Sequence, residues 1–230
     1  MSIRTMYARP TPAAAPVGGT GNSVLGQYRV ATQTGVLAAT LAASAPVFVF
    51  YYKAPALVAG TRAALQAVVS RIRARFQPLT PFTAGTLSDV GSFDAFAFRG
   101  AAAAPSTTLL TLSGNNAKMQ TNMATTNAVI SVSTTAALAT TGLPTTPTLD
   151  GNAFAGMLRK ANRTNPAAAT EETISPSDLD LTFYPDIAHF ESPLILSNGE
   201  GFYIQNRTGW PAAGTGELHV EVSWSEVSAY

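Results

Sequence analysis

The sequence predicts an all-β fold: an antiparallel β-sandwich, jelly-roll-like, with an extended N-terminal arm. Three observations predict it. Short runs of β-branched and aromatic residues alternate with polar ones, from "QYRVAT" at 27–32 to the closing "GELHVEVSWSEV" at 216–227. Turn-forming glycine, proline and asparagine clusters divide these runs, and no long helical period appears between them. The stretch "ARPTPAAAPVGGTGN" at 8–22 precedes the first run, and its Pro10, Pro12 and Pro16 favour an extended path. The chain therefore divides into an arm, residues 1–22, and a single β-sandwich domain, residues 23–230.

Each element has its own warrant. In 27–32, Tyr28 and Val30 alternate with mostly polar neighbours. "PVFVFYY" at 46–52 is β-branched and aromatic, bounded by Pro46 and Pro55. The window between Arg29 and Lys53 is uncharged and long enough to span a bilayer. Gln33, Gly35, Ser44 and Pro46 interrupt it, so two strands joined by a turn are expected instead. "ALVAGTRAALQAVVS" at 56–70 is ambiguous, its alanines suiting a helix and its Gly60 breaking one.

In "RIRARF" at 71–76 the arginines would spread around a helix but share one face of a strand. Such a row binds phosphates in some proteins; more often its aliphatic stems cover a solvated or interface face. "SFDAFAF" at 92–98 sets Phe96 and Phe98 against Phe93. Further strands are expected at 106–113, 127–134, 179–184, 193–197 and 201–206, and the last at 217–227. Turns are expected at 114–116, 141–144, 197–201 and 211–216, with Asn198-Gly199 forming a hairpin tip or bulge. In the last strand Leu218, Val220, Val222 and Trp224 face one way, and Glu217, His219, Glu221, Ser223 and Ser225 the other. Its regularity predicts a place at the centre of a sheet.

Composition bounds the chemistry. A chain of 230 residues buries roughly 70–75% of its unfolded surface, enough for a core without a metal or disulfide staple. It has no cysteine, which excludes disulfides, thiolate metal sites and a cysteine nucleophile. Net charge is +1 and charged residues make up 12%, a weak field for nucleic acid and a thin supply for a freely soluble monomer. Surfaces covered by partners are expected. Between Arg99 and Asp150 the only charge is Lys118, amid threonine, serine and alanine. That stretch reads as an interface or as a low-complexity loop.

No catalytic constellation emerges. "GGTGNS" at 18–23 lacks the lysine of a phosphate loop, and no nucleophile elbow occurs. Asp186, His189 and Glu191 are close in sequence but match no metal-ligand spacing. The carboxylates Glu171, Glu172, Asp178, Asp180, Glu200, Glu217 and Glu221 carry no information on separation. His219 shares a face with Glu217 and Glu221, as a pH-sensing contact or as a plain solvated or subunit-facing histidine. The "NRT" sequons at 162–164 and 206–208 read as loop and strand-end residues. No uninterrupted apolar leader is seen at the N-terminus.

"YRVATQTGVLAATLAASAPVFVF" (28–50), "FTAGT" (82–86), "GNNAK" (114–118), "NGEGFYIQN" (198–206) and "GELHVEVSWSEV" (216–227) resemble β-rich virion proteins of tailed bacteriophages. The resemblance implies oligomers attached to a particle and supplies no catalytic residues. Such proteins serve as capsid decoration or cement subunits, or as tail or head-fibre components. The arm at 1–22 and the absence of repeats and coiled-coil heptads favour decoration or cement; a tail or head-fibre component, with a carbohydrate-binding receptor role, is the alternative. Expected partners are the chain itself, as a homo-oligomer such as a trimer, and the major capsid protein or other virion proteins. No cofactor, nucleic acid or membrane is expected. The expected interface residues are Arg4 and Arg9 on the arm, Arg71, Arg73 and Arg75 in the row, Lys118, and Trp210. A lectin-like alternative needs exposed aromatics, for which Trp210 and Tyr203 are the candidates; a hydrolase alternative needs paired carboxylates in a cleft.

Overall fold

The β-branched and aromatic runs form strands, because side chains of that kind fit a half-buried pleated surface. The computed structural model describes residues 24–37, 40–54, 65–80, 82, 90–105, 109–110, 112, 117–119, 125–134, 143–157, 161–165, 170–173, 178–182, 193–211 and 213–228. Among these the strands are β1 (Val24–Gln33), β2 (Pro46–Tyr52), β3 (Leu65–Thr80), β4 (Phe93–Arg99), β5 (Ala128–Val132), β6 (Thr148–Leu149) and β7 (Ala155–Met157). They continue with β8 (Ala161–Asn165), β9 (Thr170–Thr173), β10 (Asp178–Thr182), β11 (Leu194–Leu196), β12 (Glu200–Asn206) and β13 (Thr215–Ser228).

The strands form two antiparallel sheets and a separate β8–β9 pair. Sheet A runs β1-β13-β3-β10, with β11 also on β3; sheet B runs β5-β2-β12-β4-β6, with β7 also on β4. The pairings nest from the ends of the chain inward. β1 pairs with β13, β2 with β12, β3 with β10 and β11, and β4 with β6 and β7. A long ribbon folded back on itself and rolled up has this connectivity, which is that of a jelly roll. β5 is an added strand on the free edge of β2.

Rolling the ribbon puts the last strand between β1 and β3, so β13 is interior as its alternation predicts. Leu218, Val220, Val222 and Trp224 are all buried on its inner face. Phe50 of sheet B meets the Trp224 edge at 5.2 Å, and Phe76 of sheet A meets Phe93 of sheet B at 5.5 Å. Burying such side chains contributes roughly 1.5–3 kcal/mol each before chain entropy is subtracted.

β3 carries its ambiguity for a physical reason. Ser223 pairs with Arg71 while Trp224 pairs with Val69, so Ser70 is an extra residue in the ladder. This bulge resets the phase: Ala67 and Val69 face inward before it, Ile72, Ala74 and Phe76 after it. Strict alternation therefore fails across 65–76, and the sequence of that stretch looks irregular.

Sheet B is covered on both faces. Phe48, Phe50 and Tyr52 enter the inter-sheet core, while Val49 and Tyr51 join Phe98, Ala101 and Tyr203 in a second cluster on the outside. Ala103 and Thr145 pair across that side, with Ala104 and Leu143 packed on the cluster. The continuous apolar run 46–52 is the signature of a strand buried twice. The uncharged window between Arg29 and Lys53 is accordingly strand, corner and strand.

One expectation is corrected. The turn at 197–201 is no hairpin tip, because β11 belongs to sheet A and β12 to sheet B; it is a corner between sheets. Gly199 takes φ 83° there, Glu200 N–H donates to the Ser197 carbonyl, and Ser197 N–H donates to Glu200 Oε2 at 2.7 Å. Most of the strand expected at 106–113 lies outside the described residues; where it is described, Leu109 bridges to Ser131 of β5 and Leu110 N–H donates to the Ile130 carbonyl. In a similar way residues 117–119 lie along β1, with Arg29 N–H donating to the Ala117 carbonyl and Met119 N–H to the Gln27 carbonyl. Where it is described, part of the charge-poor stretch thus covers sheet edges of its own chain, which protects them as charges do elsewhere.

Candidate interaction surface

Beyond the covered faces stands the outer face of sheet A. The bulge at Ser70 sets Arg71, Arg73 and Arg75 on it in one column along β3. Column by column, the cross-strand rows read Gln33–His219–Arg75, Ala31–Glu221–Arg73–Asp180 and Arg29–Ser223–Arg71–Thr182. The arginine column is thus flanked by carboxylates on both neighbouring strands.

The flanking charges pair with it. Asp180 Oδ2 accepts from Arg73 Nε at 3.1 Å and from an Arg71 guanidinium nitrogen at 3.3 Å. Partial burial opposes the charge on Asp180, but hydrogen bonds from Arg71 and Thr182 and the charges of Arg71 and Arg73 outweigh it and hold the carboxyl below its ordinary value. On the other side Arg29 reaches Glu221 at 2.6 Å. His219 Nε2 lies 4.0 Å from Glu217 Oε2, an ion-pair distance for a protonated ring and beyond hydrogen-bond reach. A shallow depression of about 590 Å³ opens here, lined by Gln33, Arg73, Arg75, His219 and Glu221 above Leu179. Exposed pairs of this kind add little stability each.

Of the residues expected at interfaces, the structure brings Arg71, Arg73 and Arg75 together on this face. Arg4 and Arg9 lie outside the described residues, as do Asp186, His189 and Glu191. Lys118 is half-buried and bridges to Tyr28 on the β1 edge, away from the arginine column. Trp210 is a correction. It is 5% exposed, meets Phe76 at 5.5 Å and Phe82 at 5.1 Å, and donates its Nε1–H to Asn206 Oδ1 at 3.0 Å. Tyr203 is 4% exposed and its hydroxyl pKa is raised by burial, with Asp150 adding to the effect. Neither aromatic is available to stack on a sugar. Asn206, the strand-end sequon residue, is wholly buried and spends its amide on the Ala42 and Thr208 carbonyls.

One residue escaped the sequence reading. Glu226 continues the inner face of β13 and is 1% exposed. It accepts from Thr126 Oγ1 at 2.6 Å, Asn127 N–H at 2.7 Å and Asn127 Nδ2 at 2.6 Å. Trp224 Nε1–H donates to the same Thr126 hydroxyl at 3.2 Å. The period-two count from Leu218 lands on Glu226, which was the available signal. Among the described residues no group of three or more acidic or histidine side chains converges as a metal site, and no helix is long and apolar enough to cross a membrane.

No protein-family model matches this chain, and no curated protein does. Among solved structures, one match is to the 60-mer BFDV capsid protein, at 10% identity over 89% of this chain and 92% of that one. Its TM-score is 0.20, and at that value nothing about fold or role is carried across.

Proposed function

We propose that this chain is a non-enzymatic structural protein of a virion, working by self-association and by docking on other particle subunits. Within that role we infer a capsid decoration or cement protein of a tailed phage. The observation that carries the reading is the nested pairing of a jelly roll, an architecture used by capsid proteins as well as by lectins and cupins. Fold alone is analogy, so the surface must choose among these. The lectin candidates Trp210 and Tyr203 are buried, which weighs against a sugar-stacking site built on them. What the molecule does present is a sheet face patterned with complementary charge, the kind of surface that sets register between subunits. The resemblance of 28–50, 198–206 and 216–227 to tailed-phage virion proteins supplies the particle type.

The test is rebinding. Particles assembled without this chain are mixed with the purified protein and pelleted. Saturable co-sedimentation is expected. Protein that stays in the supernatant at all concentrations contradicts the docking role.

A further inference from the structure

We infer that the outer face of sheet A is a two-fold interface between two copies of this chain, with β13 of one lying over β3 of the other. This rests on the self-association proposed above and goes further by naming the face, the symmetry and the pairs. The charge pattern carries the argument. A surface bound for nucleic acid or an anionic membrane carries one dominant sign. This face does not: Arg29, Arg71, Arg73 and Arg75 stand against Asp180, Glu217 and Glu221 among its described side chains. A mixed face of nearly balanced charge is matched best by a surface with the same two columns interchanged, and a second copy supplies that surface.

The register specifies how. Glu221 and Arg73 are direct cross-strand partners on the adjacent central strands β13 and β3. Place a two-fold axis parallel to the strands, above the line between β13 and β3. Rotation then exchanges the two columns while keeping each row level. Glu221 of each copy comes to face Arg73 of the other, and His219 comes to face Arg75. The outer columns exchange likewise, so the strand bearing Arg29 comes to lie over the strand bearing Asp180. Isologous contacts of this type are self-complementary by construction. Like-charge columns meet instead if the axis passes over β3 itself, setting arginine against arginine.

The face is small. At ~4.8 Å between strands and ~3.4 Å per residue, the four-strand grid spans about 500 Å² per copy, at the low end of specific interfaces. Association is therefore weak in free solution and strengthened when the copies are held on a common scaffold. On so small a face the opposed charges stay close to solvent, and added salt screens them.

Analytical ultracentrifugation of the full chain over a concentration series tests this, with circular dichroism to verify that each variant is folded. A monomer–dimer equilibrium is expected for the wild type. Arg73→Glu alone and Glu221→Arg alone each weaken it by about tenfold or more, since each places like charges face to face. An equimolar mixture of the two variants recovers dimer, because the exchanged columns are again opposite in sign. Should either variant fail to fold, the salt series on the wild type decides: weakening with sodium chloride is expected, and a salt-insensitive dimer overturns the inference. A wild type that is monomeric throughout, or a trimer, also overturns it, and so does a dimer indifferent to both substitutions. None of these results touches docking on the particle, which the rebinding assay reads separately.

Discussion

Tyr28 on the first strand and Trp224 on the last stack with ring centroids 5.5 Å apart and an interplanar angle of 22°. They are cross-strand partners in the β1–β13 ladder, and both are essentially inaccessible to solvent. The first and last described strands are thus joined in the core. A jelly roll has this consequence: the sheet containing the first strand is complete only when the last one docks.

Removing residues 216–230 is therefore expected to prevent folding, because β1 and β3 each lose their ladder to β13. A soluble truncated protein with a cooperative melt contradicts this. Trp224→Ala, a milder cut, is expected to cost about 3–5 kcal/mol through the lost contacts with Tyr28 and Phe50, read by urea denaturation.

Glu226 ties the end of β13 to residues 126–127, just before β5 of the opposite sheet. Glu226→Ala leaves three donors without their acceptor, and a loss of about 3 kcal/mol or more is expected. Asn127→Ala removes one side of the same contact. A double-mutant cycle is expected to show coupling of about 1–3 kcal/mol, whereas additive losses deny that the two form one unit.

Alkaline pH reads the Tyr28 environment. Burial, with a smaller contribution from Glu226, raises its pKa from 10.0 to about 12. The folded value lies above the unfolded one, so the stabilisation is fully present below pH ~10 and is lost as pH rises toward the folded pKa. Tyr28→Phe is expected to flatten the decline of melting temperature across that window. The same decline in both proteins contradicts the assignment.

Acid works oppositely at Asp180, whose pKa is held low by Arg71 and Arg73 against partial burial. Its contribution is present above the ordinary carboxylate pKa and disappears as pH falls through the lower folded value. Titration of the Asp180 side chain by NMR is expected to show a midpoint below ordinary aspartate, moving upward in Arg71→Gln. A midpoint at the ordinary position denies the pairing.

Gly201 sits in β12 between Tyr51 and Phe98, and a Cβ there meets the Phe50 carbonyl oxygen and the Phe98 ring. Phe98 lies across the glycine toward Tyr51, stacking at 6.2 Å. Gly201→Ala is expected to destabilise by about 1–3 kcal/mol through overpacking, measured by thermal melts. A neutral substitution denies that the ring occupies that space.

Much of this fold was legible because alternation is a local signal. β2 matches 46–52 and β12 falls within one residue of 201–206, since turn residues bound both. The inner residues of β13 follow from period two alone. Other features were hidden because they depend on what lies opposite. Nothing in 65–76 marks Ser70 as the bulged residue, for the extra residue is defined only against Ser223 and Trp224. Trp210 reads as an exposed aromatic until Phe76 and Phe82 close over it. The short β6 and β7 are held by β4 and carry no pattern of their own. Arg71, Arg73 and Arg75 were visible as a row, but the carboxylates that flank it come from β10 and β13, which only the rolled topology brings alongside.

Copy number is the most direct test of the central claim that this chain is a building block that tiles a particle. Quantitative mass spectrometry of purified virions, referenced to the major shell protein, measures it. A ratio of about one to one, or about one to three, is predicted, as symmetric tiling of a shell requires. A handful of copies per particle contradicts decoration and points to the tail or fibres, and absence from the particle contradicts the virion role altogether.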